Sequence, residues 1–87
     1  MPRFYFDLRQ NGRVTEDEEG EELPDLEAAE REAALVTAHL TAELFKGQGL
    51  KFCIDVRNDR GETVACANVS LDIERVASLT SASLTDD

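Results

Sequence analysis

The chain has 87 residues, enough for one small domain, and 19 acidic against nine basic residues give it a formal net charge of −10. Its lysines and arginines are scattered, so it lacks the basic stripe with which proteins bind nucleic acid or anionic membranes. The sequence has no apolar run near the roughly 20 residues of a membrane span and no signal-peptide core. We therefore expect a cytoplasmic protein with reduced cysteines and with neither a nucleic-acid nor a membrane partner.

An alternating stretch near the N-terminus predicts a half-buried strand. Its apolar side chains are Phe4, Phe6 and Leu8, and its other face carries Tyr5, Asp7 and Arg9. The turn signal Gln10-Asn11-Gly12 follows, and a short second strand returns after it. We prefer a three-residue loop, because it places Val14 opposite Leu8 on the buried face. A two-residue Asn11-Gly12 turn would instead place Val14 opposite Arg9.

A strongly acidic stretch leads into a predicted helix. Eight of the twelve residues from Glu16 to Glu27 are acidic, which leaves a charge of −2 for the rest of the chain. Asp25 is a candidate N-cap for a helix from Leu26 to about Lys46, and Gly47 is suited to end it. The stripe expected to face a sheet is Leu26, Ala29, Ala33, Val36, Leu40 and Leu44. Leu35 and Phe45 lie off this stripe and are candidate contacts for a second subunit.

A second hairpin is predicted after the helix, turning at Asn58–Gly61 in a type I turn with Gly61 in the left-handed bulge conformation. That bulge would place Val56 opposite Val64 and Ile54 opposite Cys66, with Phe52 on the same buried face. Cys53 and Cys66 would then lie on opposite faces. Without the bulge Cys53 would face Cys66 directly, and the sequence leaves this register open. Past Asn68 the apolar pattern changes phase, so we expect the strand to end, bulge or change partner there.

These elements predict an α+β fold: two β-hairpins joined through one long helix (ββαββ), with the helix packed on one face of an antiparallel sheet. We expect a single domain over residues 1–73 and a polar, flexible tail over residues 74–87. Because so short a chain buries only a small core, we also expect a homodimer.

The acidic segment is the first candidate site. A divalent cation could bind the carboxylates of Glu16, Asp17, Glu18, Glu19, Glu21 and Glu22. The spacing lacks the Asp-x-Asp-x-Asp-Gly pattern of a defined calcium loop, and runs of charge are usually solvated. We therefore interpret the segment as a solvated loop that can contact a basic protein, with a cation site as the alternative.

Catalytic chemistry has little basis in the sequence. The two cysteines form no C-x-x-C motif, and with one histidine they make a poor zinc set. His39 has no nucleophile and no orienting acid in a local motif, and we expect it to pair with Glu43 on the helix surface. We expect no catalytic residue and no cofactor.

Three stretches carry a family resemblance: "MPRFYFDLR" at the start, "DEEGEELPDLEAAEREA" from Asp17 to Ala33, and "NDRGETV" near Asn58. They resemble the bacterial domain-of-unknown-function family 6894 over about residues 1 to 70, and Glu22-Leu23-Pro24-Asp25 is the most specific part. The resemblance implies a stand-alone cytoplasmic domain and no activity. Our leading interpretation is a non-catalytic protein-interaction module. It would use the outer sheet face with Tyr5, the helix residues Leu35 and Phe45, or the acidic segment.

Overall fold

The structure is a computed structural model that describes residues 1–76. In chain order its elements are β1 (Arg3–Gln10), β2 (Arg13–Thr15), β3 (Glu21–Glu22), α1 (Leu26–Leu44), β4 (Leu50–Arg57) and β5 (Thr63–Leu71). The strands form an antiparallel sheet in the order β2-β1-β4-β5, with β3 also paired to β1. The predicted α+β class and antiparallel sheet are confirmed. The predicted ββαββ order is incomplete, because it lacks the short strand β3.

The first hairpin has the register that we did not prefer. Asn11 and Gly12 have φ angles of 54° and 76°, as a type I′ turn requires, and Arg9 pairs with Val14. The prediction assumed that Val14 is buried, but its side chain is 57% exposed on an edge strand. Burial therefore does not select the register there, and the two-residue turn does.

The helix begins at the predicted residue. The side chain of Asp25 accepts a hydrogen bond from the backbone N–H of Ala28 at 2.9 Å. Ala29 and Ala33 lie against Phe4 and Val56 of the sheet, because their small side chains let the helix approach closely. The second part of the core is Leu50, Phe52 and Ile54, covered by Val36, Leu40, Leu44 and Phe45. Leu26, the first residue of the predicted stripe, is 40% exposed.

The second hairpin turns as predicted but pairs differently beyond the turn. The backbone N–H of Gly61 donates to the carbonyl of Asn58 at 3.1 Å, and the φ angle of Gly61 is 81°. A further irregularity between Val56 and Arg57 shifts the register, so that Val56 faces Ala65. The predicted burial of Val64 and Cys66 is therefore wrong. Both side chains are exposed.

This shift also decides the positions of the two cysteines. Cys53 pairs with Asn68 and Cys66 pairs with Asp55, so both lie on the face away from the helix, at diagonal positions. The expectation of opposite faces is wrong, and so is the direct Cys53–Cys66 pairing. Both thiols are free.

The far end of β5 also differs from expectation. The helix-facing residues of this strand are Ala65, Ala67, Val69 and Leu71. They keep one phase and stay paired with β4, so β5 continues past Asn68 to Leu71 and the expected end, bulge or change of partner there is wrong. Of the expected tail over residues 74–87, residues 77–87 lie outside the described part. Within residues 1–76, no helix is long and apolar enough to cross a membrane.

Candidate functional site

The acidic segment interrupts one edge of the sheet. β2 pairs with the end of β1 through Leu8–Gln10, and β3 pairs with its start through Arg3 and Phe4. Residues 16–20 leave the edge between these two pairings, opposite the middle of β1. The acidic segment is therefore a loop whose two ends are both held to the same strand.

Asp17 fixes this loop from inside. One carboxylate oxygen accepts the backbone N–H of Phe6 at 3.1 Å, replacing the neighbouring strand that β1 lacks at this point. The other oxygen accepts the N–H groups of Glu19 and Gly20 at 3.1 and 3.2 Å. The backbone N–H of Asp17 donates to the carboxylate of Asp7 at 2.9 Å. A loop of consecutive acids is thus held by backbone donors, as caps and tight turns are.

Asp7 and Arg57 connect this loop to the centre of the sheet. The guanidinium of Arg57 donates two hydrogen bonds to Asp7, at 2.9 and 3.1 Å, and a third to the carbonyl of Asp17 at 3.2 Å. It also lies over the ring of Tyr5, 4.6 Å from the centroid, a distance at which a cation and an aromatic face attract. We call Asp7, Asp17 and Arg57 the anchor triad.

The carboxylate of Asp7 is ionised in this environment. Asp7 is only 6% exposed, and burial alone would favour its neutral form. The hydrogen bonds from Arg57, with the backbone N–H of Asp17, outweigh burial and hold the pKa of Asp7 below its usual range. The anchor triad is therefore a charged, fully bonded connection between β1, β4 and the loop.

Gly20 closes the loop against Tyr5. Its φ angle is +70°, and an added Cβ would lie 2.8 Å from Cε2 of Tyr5 and 2.9 Å from the carbonyl oxygen of Phe4. A glycine is required here both by the left-handed backbone and by the space. Tyr5 is therefore a half-buried part of the anchor, with Gly20 and Arg57 against its ring.

The remaining carboxylates of the segment point outward. Glu16, Glu18, Glu19, Glu21 and Glu22 are exposed, and we call them the glutamate patch. Arg3 borders it, donating to the carbonyl of Glu19 at 2.7 Å and lying 3.4 Å from the carboxylate of Glu22. Burial first, and then the neighbouring carboxylate of Glu21, raises the pKa of Glu32 on α1. Negative charge is thus concentrated between the loop and the helix.

Replacing Glu32 with Gln should raise the thermal midpoint at pH 7 by roughly 1–3 °C, since it removes a repelled and partly desolvated charge. A carboxyl whose pKa is raised in the folded state favours folding in acid and loses that advantage as the pH rises through its folded value. The difference between variant and wild type should therefore disappear below about pH 4. Differential scanning fluorimetry across this pH range measures it, and Glu30→Gln, on the exposed side of the same helix, should change the midpoint less. A lower midpoint for Glu32→Gln at pH 7 would contradict the interpretation that the charge of Glu32 destabilises the fold.

A second ion pair lies beside the anchor triad on the outer face. Arg9 donates to both carboxylate oxygens of Asp55, at 2.9 and 3.1 Å. The thiol of Cys66 lies 3.6 Å from the guanidinium of Arg9. Its hydrogen bond to Asp55, followed by burial, raises the pKa of Cys66 to about 11. The thiol is therefore protonated at neutral pH, which is the poorly nucleophilic form.

The structure separates the candidate residues that the sequence named together. Among the acids, Asp17 turns inward while the glutamates stay exposed. Within residues 1–76, no group of three or more His, Cys, Asp or Glu side chains is placed to hold a metal ion. Leu35 is 66% exposed and borders a shallow depression on α1 with Val36, His39 and Leu40. Phe45 is partly buried and packs against the core.

Sequence reasoning placed Asp7 on the outer face of the sheet, with Tyr5 and Arg9. It did not distinguish Asp17 from the neighbouring acids or place Gly20 against the ring of Tyr5, and so missed the roles of Asp17 and Gly20. A signal for the last two is present in the sequence. Asp at the first and Gly at the fourth position, as in Asp17-Glu18-Glu19-Gly20, are the preferences of a type I turn. The surrounding glutamates obscured it. The ion pair of Asp7 with Arg57 joins residues 50 positions apart and depends on the pairing of β1 with β4, which the sequence did not specify.

One of three comparisons with known proteins found a match. A family model described as a domain of unknown function (DUF6894) matches residues 3–70. This range includes the helix, β1 to β4, all of β5 except Leu71, and the complete anchor triad. Neither a curated protein nor a solved structure matches the chain.

Proposed function

The chain belongs to the family DUF6894, and we propose that it is a non-catalytic module that binds a basic protein through the glutamate patch. The observation that carries this proposal is the fixed loop. Asp17 accepts three backbone N–H groups within it and around it, and Arg57 holds its carbonyl. The anchor uses the inward-facing acid and leaves the five glutamates of the patch exposed.

A fixed loop favours association for an energetic reason. Ordering a mobile loop on binding costs roughly 1–2 kcal/mol for each residue whose backbone must be fixed. A loop that is already held by hydrogen bonds avoids most of that cost, so more of the interaction energy appears as affinity. The proposal therefore requires the glutamates to keep the same arrangement in the free and the bound protein.

The charge of the patch specifies the partner. Burial and, after it, the neighbouring carboxylate of Glu21 raise the pKa of Glu32, and the second of these causes is negative charge that the fold does not neutralise. A basic surface would relieve this repulsion, and complementary potentials would accelerate encounter at low salt. We therefore propose a basic protein as the partner, with affinity that falls as salt concentration rises.

Two candidate nucleophile or base residues have structural environments that support a non-catalytic role. The thiol of Cys66 has a pKa raised to about 11 by its hydrogen bond to Asp55. His39 lies on the exposed helix surface and pairs with Glu43 at 3.2 Å. Neither arrangement activates the side chain for chemistry.

The test is to purify the tagged protein from the organism that encodes it, identify what co-purifies, and measure the affinity of that protein at several salt concentrations. Replacing Glu18, Glu19 and Glu21 with Gln should weaken binding by at least about tenfold. A control variant carries Glu43→Gln, Asp59→Asn and Glu74→Gln, which removes three exposed charges elsewhere, and it should bind within about twofold of wild type. Equal loss in both variants, or an acidic partner, would overturn the proposal.

The alternative function, binding of a divalent cation, uses the same acidic segment. It is distinguished by the response of the thermal midpoint to added ions. An ion that binds only the folded state raises the thermal midpoint by mass action. Calcium, magnesium and manganese should each be compared with chelator at constant ionic strength. A saturable rise with one ion, lost in the same triple Gln variant, would assign the segment to a cation instead of a protein.

A further inference from the structure

The two edges of the sheet are protected to very different degrees. On one edge, β2 and β3 have only three and two residues and are separated by the loop of residues 16–20, and the glutamate patch extends over this loop and β3. The other edge is β5, nine residues long, with the sequence TVACANVSL. It contains no charged residue, proline or glycine, the devices with which proteins block unwanted pairing at a strand edge.

The free side of β5 is able to accept another strand. In the described residues β5 pairs with β4 only, and in an antiparallel ladder alternate residues direct their N–H and C=O groups away from that neighbour. Its helix-facing side chains, among them Ala67 and Val69, are only partly buried. A strand added at this edge would extend both the hydrogen-bonded ladder and the apolar layer under α1.

We propose that β5 is the interface of a homodimer, in which two copies pair their β5 strands antiparallel and form one continuous sheet. An antiparallel pair related by a two-fold axis perpendicular to the sheet keeps both helices on the same face. With full overlap, Ala67 lies on the axis, Ala65 faces Val69 of the partner subunit, and Cys66 faces Asn68 of the partner subunit. Every side chain within the overlap is uncharged. The nearest like charges, Glu62 and the partner subunit's Asp72, face each other just beyond each end of the overlap, where both are exposed to solvent and screened by salt.

The charge distribution favours a second copy at this edge. Each chain has a net charge of −10, so two copies repel unless their acidic regions are far apart. The glutamate patch lies at the β2/β3 edge, and β5 is the opposite edge of the sheet. In the joined sheet seven strand spacings of about 4.8 Å separate the two patches, several times the Debye length of about 8 Å at physiological salt.

The backbone supplies the attraction. An overlap of nine residues makes roughly eight to ten hydrogen bonds between the strands. This arrangement is independent of the proposed binding of a basic protein, since it leaves both glutamate patches exposed at the outer edges of the dimer. It presents two identical patches, one at each end of the sheet.

The test is the mass of the full chain by sedimentation equilibrium, with a protomer of 9.6 kDa. Wild type should have twice this mass at about 50 µM, and Asn68→Lys should have the protomer mass with an unchanged far-UV circular dichroism spectrum. The two new lysines would lie diagonally across the axis, roughly 7–8 Å apart. The substitution lowers the net negative charge, so general repulsion between chains cannot cause the loss. If Asn68→Lys does not fold, Cys66→Lys makes the same measurement, because its two lysines lie at the same diagonal distance across the axis.

Two control variants add the same charge elsewhere. Thr15→Lys lies on the opposite edge strand and Leu35→Lys on the exposed side of α1, and both should remain dimers. A wild type that is monomeric at about 100 µM, or an Asn68→Lys variant that remains dimeric, would overturn the β5 interface. A monomer produced by Leu35→Lys would also overturn it and assign association to the helix. All of these variants retain the glutamate patch, so this test does not depend on the outcome of the basic-protein experiment.

Discussion

Replacing Asp7 with Ala should lower the free energy of unfolding by about 2–4 kcal/mol, because it breaks a largely buried ion pair and leaves its partners unsatisfied. The side chains of Arg57 and Asp7 are only 24% and 9% exposed. The guanidinium would lose two hydrogen bonds, and the backbone N–H of Asp17 would lose its acceptor. Chemical denaturation at pH 7 measures the change.

The neighbouring ion pair provides the control for that prediction. Arg9 and Asp55 make the same two-bond contact, but their side chains are 46% and 18% exposed, about twice as much as those of Arg57 and Asp7. Solvent screens such a pair, so Asp55→Ala should cost no more than about 1 kcal/mol. Similar losses for Asp7→Ala and Asp55→Ala would contradict the structural importance given to the anchor triad.

The Asp7 effect should also depend on pH with a definite sign. Arg57 lowers the pKa of Asp7 in the folded protein. A carboxyl with a lowered pKa stabilises the fold above its unfolded value, near 3.9, and this stabilisation is lost as the pH falls through the folded value. The difference in stability between wild type and Asp7→Ala should therefore be full at pH 6–7 and shrink in acid. A difference that grows below pH 4 would contradict this account.

Replacing Gly20 with Ala should lower the free energy of unfolding by about 2–3 kcal/mol, combining a strained left-handed backbone with a steric clash. An added Cβ would lie 2.9 Å from the carbonyl oxygen of Phe4, and this backbone atom cannot move without disturbing β1. The loop would have to shift away from Tyr5, which separates Asp17 from its donors.

Gly12 separates the two contributions. Its φ angle is +76°, close to that of Gly20, but an added Cβ there meets nothing within 4 Å. Gly12→Ala should therefore show the backbone cost alone, about 1 kcal/mol. The two variants can be compared by the same denaturation measurement. An equal loss for Gly12→Ala and Gly20→Ala would show that the close approach of the loop to β1 does not contribute.

The predictions from sequence succeeded where local signals were strong. Asp25 followed by an amphipathic segment identified the helix start, and Asn58 with Gly61 identified the turn between β4 and β5. Both signals act over a few residues, since caps and tight turns satisfy nearby backbone groups. The family resemblance was likewise carried by contiguous stretches, and the match over residues 3–70 confirms it.

The failures have a different physical origin. The register of the first hairpin was predicted from the assumed burial of Val14. That strand is too exposed for burial to select a register. The register of the second hairpin was shifted by an irregularity between Val56 and Arg57. A shift of one residue moves every later side chain to the other face of the sheet. Cys66 and Val64 were placed wrongly for this reason alone.

The candidate site was predictable only in part. The sequence showed a cluster of carboxylates, but it did not show that Asp17 turns inward while its neighbours stay exposed. Its role depends on the backbone N–H of Phe6, which no neighbouring strand accepts because the edge strand is interrupted there. It also depends on the pairing of β1 with β4. Long-range pairing of this kind leaves no periodic trace in a single sequence.

The most direct test of the central claim, that the anchor triad holds the acidic loop in a fixed shape, is amide hydrogen exchange measured by NMR. In the wild type, the amides of Phe6, Glu19 and Gly20 should be protected to an extent similar to those of β1. In Asp17→Ala these three should lose protection by at least about tenfold while the amides of β4 keep theirs. Exchange of Glu19 and Gly20 in the wild type at the rates of an unstructured chain would contradict the claim.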